Sequence, residues 1–309
     1  MKKWLWLTGV VIVAALASVY IFIPAQLNIV RITPINCTVN GAFRVLSSTP
    51  KWQHWWPGPQ SNSNTFNYNN ASFTIAKQLQ NTLEITIQQN DQKLNSVLHV
   101  FPAGGDSASI NWSCNIATGN NPFKRFTHYR QAVALKNSID SALNHFKSFA
   151  EKKENVYDIS FEIIRFSDSL LVSTKSFHTD YPNVATVYAQ INALKKYSVT
   201  HLAKQTAPPL MNLTRLNPSG FQLLTALPVD REVPASGQFF NQNIPLNRFW
   251  VIRVHGGMAS VDEAIHQFQL YVQDYQRIVM ALPFQKLITD RSAEPDTSRW
   301  VTDIYFPLF

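Results

Sequence analysis

The chain has 309 residues, 45% of them aliphatic or aromatic, which suits two globular domains and excludes a disordered protein. Its ten glycines form neither G-x-G-x-x-G nor G-x-x-x-x-G-K-[ST], and two cysteines exclude a disulfide-dense scaffold or a multi-cysteine metal centre. The net charge of +8 contains no block of five or six basic residues, so no nucleic-acid surface is expected; the densest cluster is Lys124, Arg125, His128 and Arg130.

Lys2 and Lys3 precede an uncharged run whose strongly apolar part extends from Trp4 to Ile23 and stops at Pro24. About 20 helical residues match the ~30 Å hydrocarbon core of a bilayer. Trp4, Trp6 and Tyr20 sit towards the ends of the run, where amphipathic rings favour the interfaces. Residues 1–26 are therefore expected to form a single-pass transmembrane anchor. The two lysines would keep the N-terminus cytoplasmic and place the domains outside. The alternative is a signal peptide cleaved at Ala15-Leu16-Ala17. In an oxidising compartment Cys37 and Cys114 either pair or remain buried thiols.

After an extended segment from Leu27 to Thr38, Asn40 is a plausible N-cap for a short helix with Ala42, Phe43, Val45 and Leu46 on its apolar face. Thr49-Pro50 is expected to stop it, ahead of a tryptophan-rich turn, Trp52-Gln53-His54-Trp55-Trp56-Pro57. Period-two alternation predicts strands through Phe73, Ile75 and Leu79, through Leu83, Ile85 and Ile87, over Val97–Phe101, and through Ala108, Ile110, Trp112 and Cys114. Asn90-Asp91 and Pro102–Asp106 read as turns between them. Ile139, Ala142, Leu143, Phe146 and Phe149 recur at helical spacing and predict a long closing helix. The order of these elements, with Cys37–Pro57 as its most specific part, resembles the SRPBCC (START-like, polyketide cyclase-like) family. That resemblance implies a helix-grip fold over 27–150: a curved antiparallel sheet around a long helix, enclosing an apolar cavity. Trp112 would line such a cavity or simply fill the core.

The charged stretch Glu151–Asn155 reads as a domain boundary. Beyond it, strands are expected at Ile159–Ile163 and Leu170–Ser176. A helix capped by Asp180 or Asn183 follows, with Val184, Val187, Tyr188, Ile191 and Leu194 on its apolar face. Strands near Met211–Leu216 and Phe221–Val229 come next, then a strand over Phe249–His255 and the turn Gly256-Gly257. A second helix starts at Ser260 or Asp262, and its apolar positions run from Ala264 through Phe268, Tyr271, Val272, Tyr275, Ile278 and Val279 to Leu282. Strands near Gln285–Thr289 and Trp300–Phe306 end the chain. Strand, helix, strand, strand thus occurs twice.

Val254-His255-Gly256-Gly257, Pro283–Asp290 and Pro295–Pro307 resemble the GyrI-like, AraC-type effector-binding family over 156–309. The resemblance implies an α+β domain of two β-α-β-β modules about a pseudo-twofold, with a small organic molecule, often cationic and aromatic, held between them. Gln285, Tyr188, Trp250, Tyr271 and Trp300 become the candidate ligand contacts. Two departures bear on the ligand. The family's acidic residue on the penultimate strand, and the aromatic two residues later, align with Gln285 and Leu287. Met258 and Ala259 stand where a tyrosine commonly follows the glycine turn. An amide hydrogen-bonds but, unlike a buried carboxylate, gains nothing from a cation.

No H-E-x-x-H, C-x-x-C or G-x-S-x-G occurs, so no metal, cofactor or catalytic set is expected. Asp168 and Asp180 fall in turns. His255 and Glu162 are the titratable residues to watch in a cleft. The reading is a membrane-anchored protein that binds or senses small hydrophobic or aromatic molecules without catalysis. The alternatives are a hydrolase or cyclase acting in one of the pockets, or a protein-interaction module. A transcription regulator fits least, since no helix-turn-helix segment precedes the effector-like half.

Overall fold

The computed structural model describes every residue except 1, 91, 168–169, 218–219, 245–247, 279–281 and 308–309. Asp91, Asp168 and Val279 therefore lie outside the described residues. The chain divides into two compact units, Met1–Val156 and Tyr157–Phe309.

The first unit runs α1 (Lys2–Phe22), β1 (Gln26–Ile35), α2 (Val39–Ser47), α3 (Thr49–Trp55), β2 (Gln60–Asn62), β3 (Thr65–Tyr68), β4 (Ala71–Leu79), β5 (Thr82–Gln89), β6 (Gln92–Gly104), β7 (Ser107–Ala117) and α4 (Pro122–Ala150). Its strands form one antiparallel sheet in the order β1-β7-β6-β5-β4-β3-β2. Asparagines make the three reversals from β3 to β6: Asn69, Asn70, Asn81 and Asn90 all take positive φ, a left-handed conformation that asparagine tolerates better than most residues. Leu83, Ile85 and Ile87, like Ala108, Ile110, Trp112 and Cys114, point inward on their strands. A bulge between Ile75 and Lys77 breaks that parity in β4, so Leu79 ends 43% exposed although Phe73 and Ile75 are buried. Ile139, Ala142, Leu143 and Phe146 of α4 close the core.

Two local expectations are corrected. Thr38, not Asn40, caps α2, its hydroxyl accepting from the Gly41 N–H at 3.1 Å. Helix α2 ends at Ser47, just ahead of Thr49-Pro50 as expected, but the tryptophan-rich segment is not the expected turn: Pro50 lies in the first turn of α3, where proline's missing N–H would be unpaired anyway. The tryptophan segment is thereby a helix, with Trp52 and Trp55 one turn apart and both buried.

The transmembrane anchor expected at 1–26 is also corrected, together with the single-pass placement built on it. Among the described residues no helix is long and apolar enough to cross a membrane. The last turn of α1 is committed to protein contacts. The Tyr20 hydroxyl donates to the Asn120 carbonyl, and the Arg125 guanidinium lies 4.9 Å over the Tyr20 ring. Arg125 Nε donates to the carbonyl of the buried Ile23 at 2.7 Å. The stretch left over, Trp4 to Val19, measures about 24 Å at 1.5 Å per residue, short of the ~30 Å core.

Cys37 and Cys114 are both buried and neither forms a disulfide. Burial pushes the Cys114 thiol up to about 11. A thiol raised in the folded state stabilises the fold fully below its unfolded pKa, and that contribution is lost as pH rises through the folded value. Stability should therefore fall between about pH 9 and pH 11, beyond any loss in a Cys114→Ser chain. At pH 8, alkylation of Cys114 followed by peptide mass mapping should be no faster than global unfolding; rapid labelling would contradict this burial.

A short helix, α5 (Lys153–Tyr157), leads to the second unit. There follow β8 (Glu162–Arg165), β9 (Leu170–His178), α6 (Val184–Thr200), β10 (Leu210–Asn217), β11 (Gly220–Pro228), β12 (Phe239–Asn243), β13 (Arg248–His255), α7 (Met258–Asp274), β14 (Phe284–Leu287), a 3-10 turn (Thr297–Arg299) and β15 (Val301–Pro307). The sheet order is β12-β9-β11-β10-β14-β15-β13-β8. The module β9-α6-β10-β11 and the module β13-α7-β14-β15 mirror each other about the β10–β14 junction, with β12 and β8 added at the edges.

Asn183 caps α6, its side chain accepting from Thr186 N at 2.9 Å. By contrast α7 begins at Met258 behind Gly257, with no side-chain cap from Ser260 or Asp262. The expected continuation to Leu282 is corrected. Helix α7 stops at Asp274, Gln276 turns left-handed at φ 49°, and Arg277 N donates back to Val272 O at 2.8 Å. Ile278 and Leu282 are consequently exposed.

Candidate functional site

At the centre of the second sheet β10 and β14 pair antiparallel over only two residues, Leu210 with Lys286 and Met211 with Gln285. Alternation sends Met211 and Leu287 to one face, where they pack with Val187, Tyr188, Ile191 and Leu223 under α6. Leu210 goes to the other face, with Leu171 and Ala226.

Along the α6 face lies a cavity of about 370 Å³, lined by Tyr181, Val187, Tyr188, Leu213, Leu223, Met258, Arg291 and Trp300 among others. A second cavity of about 230 Å³ shares Leu213 and is bounded by Gln285, Ile304, Ile265 and Gln269. A third, of about 370 Å³, lies on the opposite face around Leu210, Phe249 and Phe284. The first is distinguished by converging buried polar groups.

Tyr188 is one of these. Its hydroxyl accepts from the Arg291 backbone N–H at 2.7 Å and donates to the Thr289 carbonyl at 3.2 Å. Burial raises the Tyr188 phenol above its ordinary range, and burial does the same to Tyr181, helped by the nearby Asp262 carboxylate. Trp300 is fixed through Nε1, which donates to the Glu294 carbonyl at 2.9 Å. Arg291 lies 4.9 Å over the Trp300 ring, a cation–π distance. Its Nη2 donates to Thr302 Oγ1 at 2.7 Å and its Nη1 faces the Met258 sulfur at 3.1 Å. Its Nε is buried with no partner. Burial lowers the Arg291 pKa from its ordinary value, which still leaves an arginine charged at neutral pH.

The structure thus brings Tyr188 and Trp300 to one cavity and Gln285 to its neighbour. Gln285 is buried on β14 and its Oε1 has no hydrogen-bond partner. Trp250 and Tyr271 sit elsewhere, in an aromatic cluster with Phe268 beneath α7. Trp112 is wholly buried in the first unit against Phe73, and its Nε1 donates to Ser96 Oγ at 3.1 Å. His255 lies exposed at the end of β13, beside Asp158, Ser260 and Glu263 along a further cavity. Glu162 is exposed on β8. Among the described residues no three His, Cys, Asp or Glu side chains could together hold a metal ion.

Sequence reasoning did not reach Arg291 or Tyr181. A lone arginine in a loop after a strand carries no pattern, and only the packing of that loop against Tyr188 and Trp300 buries it.

No protein-family profile matches the sequence, and no curated protein matches it. Among solved structures, EcmrR in its complex with DNA is similar over 60% of this chain and 70% of that one, at 16% identity and a TM-score of 0.44. The Zhui aromatase/cyclase from Streptomyces sp. R1128 is similar over 41% of this chain and 95% of that one, at 7% identity and a TM-score of 0.34. SAV2435, solved bound to tetraphenylphosphonium, is similar over 49% of this chain and 94% of that one, at 12% identity and a TM-score of 0.34. Likeness at this level says nothing of what this chain binds.

Proposed function

We propose that the second unit binds a small hydrophobic or aromatic molecule in the cavity beside α6, and that it holds the molecule without transforming it. The observation that carries this reading is the roughly 370 Å³ cavity walled by aliphatic side chains and the rings of Tyr181, Tyr188 and Trp300. Ligand pockets are concave, mostly apolar and equipped with a few placed polar groups. The family readings belong to the same proposal: START-like for 27–150 and GyrI-like for 156–309. The long helix closing the first sheet and the mirrored strand order of the second support them.

Leu213 lines both cavities on the α6 face, so Leu213→Trp would fill the space they share. Native mass spectrometry of the full chain, purified without detergent, should reveal a bound organic molecule. Titration with naphthamide should show saturable binding that falls at least tenfold in Leu213→Trp, with overpacking costing ~1–3 kcal/mol of stability. Undiminished binding in a folded Leu213→Trp chain would place the ligand elsewhere.

A further inference from the structure

We infer that the cavity beside α6 selects organic anions, an aromatic or aliphatic body carrying a carboxylate, with Arg291 as the group that reads the charge. This rests on the binding reading above and adds the class of ligand.

Arg291 is 6% exposed. Among the described residues no carboxylate lies within ion-pairing distance of it. A guanidinium offers five N–H donors, yet here one goes to a hydroxyl, one meets a thioether and Nε has no partner. Leaving a cation buried without a counter-charge is costly, and the Trp300 face offsets only part of that cost. The nearby acidic residues do not supply the counter-charge. Asp290 turns its Oδ1 to Ser292, accepting from the Ser292 backbone N–H at 3.0 Å. Asp262 is held above the ordinary carboxylate range by burial, the opposite of what an arginine partner would do.

The missing partner is of the kind a ligand brings. A carboxylate accepts two parallel bonds from the guanidinium fork. Met258, the weakest acceptor in the set, lines the same cavity and rearranges readily. When a carboxylate takes the place of its sulfur at the fork, the ligand's apolar body lies among Tyr181, Val187 and Leu223. The polar residues of the adjoining cavity are Asn212, Thr214, Arg215, Gln269 and Gln285, none of them a carboxylate, so its lining sets no opposing negative charge beside the site.

The test titrates the full chain at neutral pH with three probes of one shape: naphthoate, naphthamide and naphthylmethylammonium. Naphthoate should bind at least tenfold tighter than naphthamide, and the ammonium weakest. Arg291→Gln should abolish the preference, so that naphthoate and naphthamide bind the variant alike. Arg291→Lys should keep part of the preference, since it keeps the charge but loses the fork. Equal binding of acid and amide, or a preference for the cation, would overturn the anion reading and leave the binding reading intact. Failure of all three probes would overturn both. If Arg291→Gln does not fold, judged by its circular dichroism melt, the wild-type series and Arg291→Lys decide: an acid preference untouched by lysine places the charge reader elsewhere and rejects Arg291.

Discussion

Replacing Trp52 by alanine should cost the first unit about 3–5 kcal/mol, the range for removing a large aromatic from a packed core. Trp52 is fully buried. Its ring lies 4.6 Å from Trp55, 5.4 Å from Trp56 and 5.0 Å from Phe66. Its Nε1 donates to the Leu46 carbonyl at 2.7 Å, tying α3 to the end of α2. The substitution empties the centre of this cluster and leaves that carbonyl unpaired, a further ~1 kcal/mol or more. Urea unfolding followed by circular dichroism should show the loss, with a melting temperature lower by roughly 10 °C. A shift within 1 kcal/mol of wild type would mean that the three tryptophans form a surface element and not a keystone of the sheet.

The second large effect lies under α7. Phe268 is fully buried, stacked 4.0 Å from Phe306 and in edge or tilted contact with Phe161, Trp250 and Tyr271. Phe268→Ala should destabilise by about 3–5 kcal/mol, whereas Ile278→Ala should stay within about 0.5 kcal/mol. Ile278 is 72% exposed because α7 has already ended at Asp274. Helical periodicity alone puts the two residues on one face, so the pair separates sequence pattern from structure. Comparable losses for the two variants would show that the helix continues to Leu282 after all.

These two predictions mark where sequence legibility ended. The period of the apolar residues was readable wherever one face of an element is buried and the other wet. Leu83, Ile85 and Ile87 alternate on β5, and Val187, Ile191 and Leu194 recur on α6, as their spacing required. The duplication in the second unit was readable because each module repeats the same switch of period. Ends were less legible. Thr38 displaced Asn40 as a cap, the tryptophan segment behind Pro50 folded as a helix and not a turn, and α7 stopped early. Each depends on one backbone conformation that neighbouring packing selects. The apolar run at the start read as a membrane span because hydropathy counts residues without knowing which are already docked. Tyr20 and Ile23 are held by Arg125 through contacts about a hundred positions distant in the chain.

The candidate site divides in the same way. Gln285 was reached from sequence only through the resemblance to the effector-binding family, as the residue at the acidic position of the penultimate strand; that it is buried with an unpartnered Oε1 came from the structure. That Arg291 is buried without a counter-charge, over Trp300 and against Tyr188, was decided by tertiary structure alone. Periodicity encodes which face of an element is apolar. It carries no record of which loop folds back over a cavity, and the charge that reads a ligand sits on such a loop.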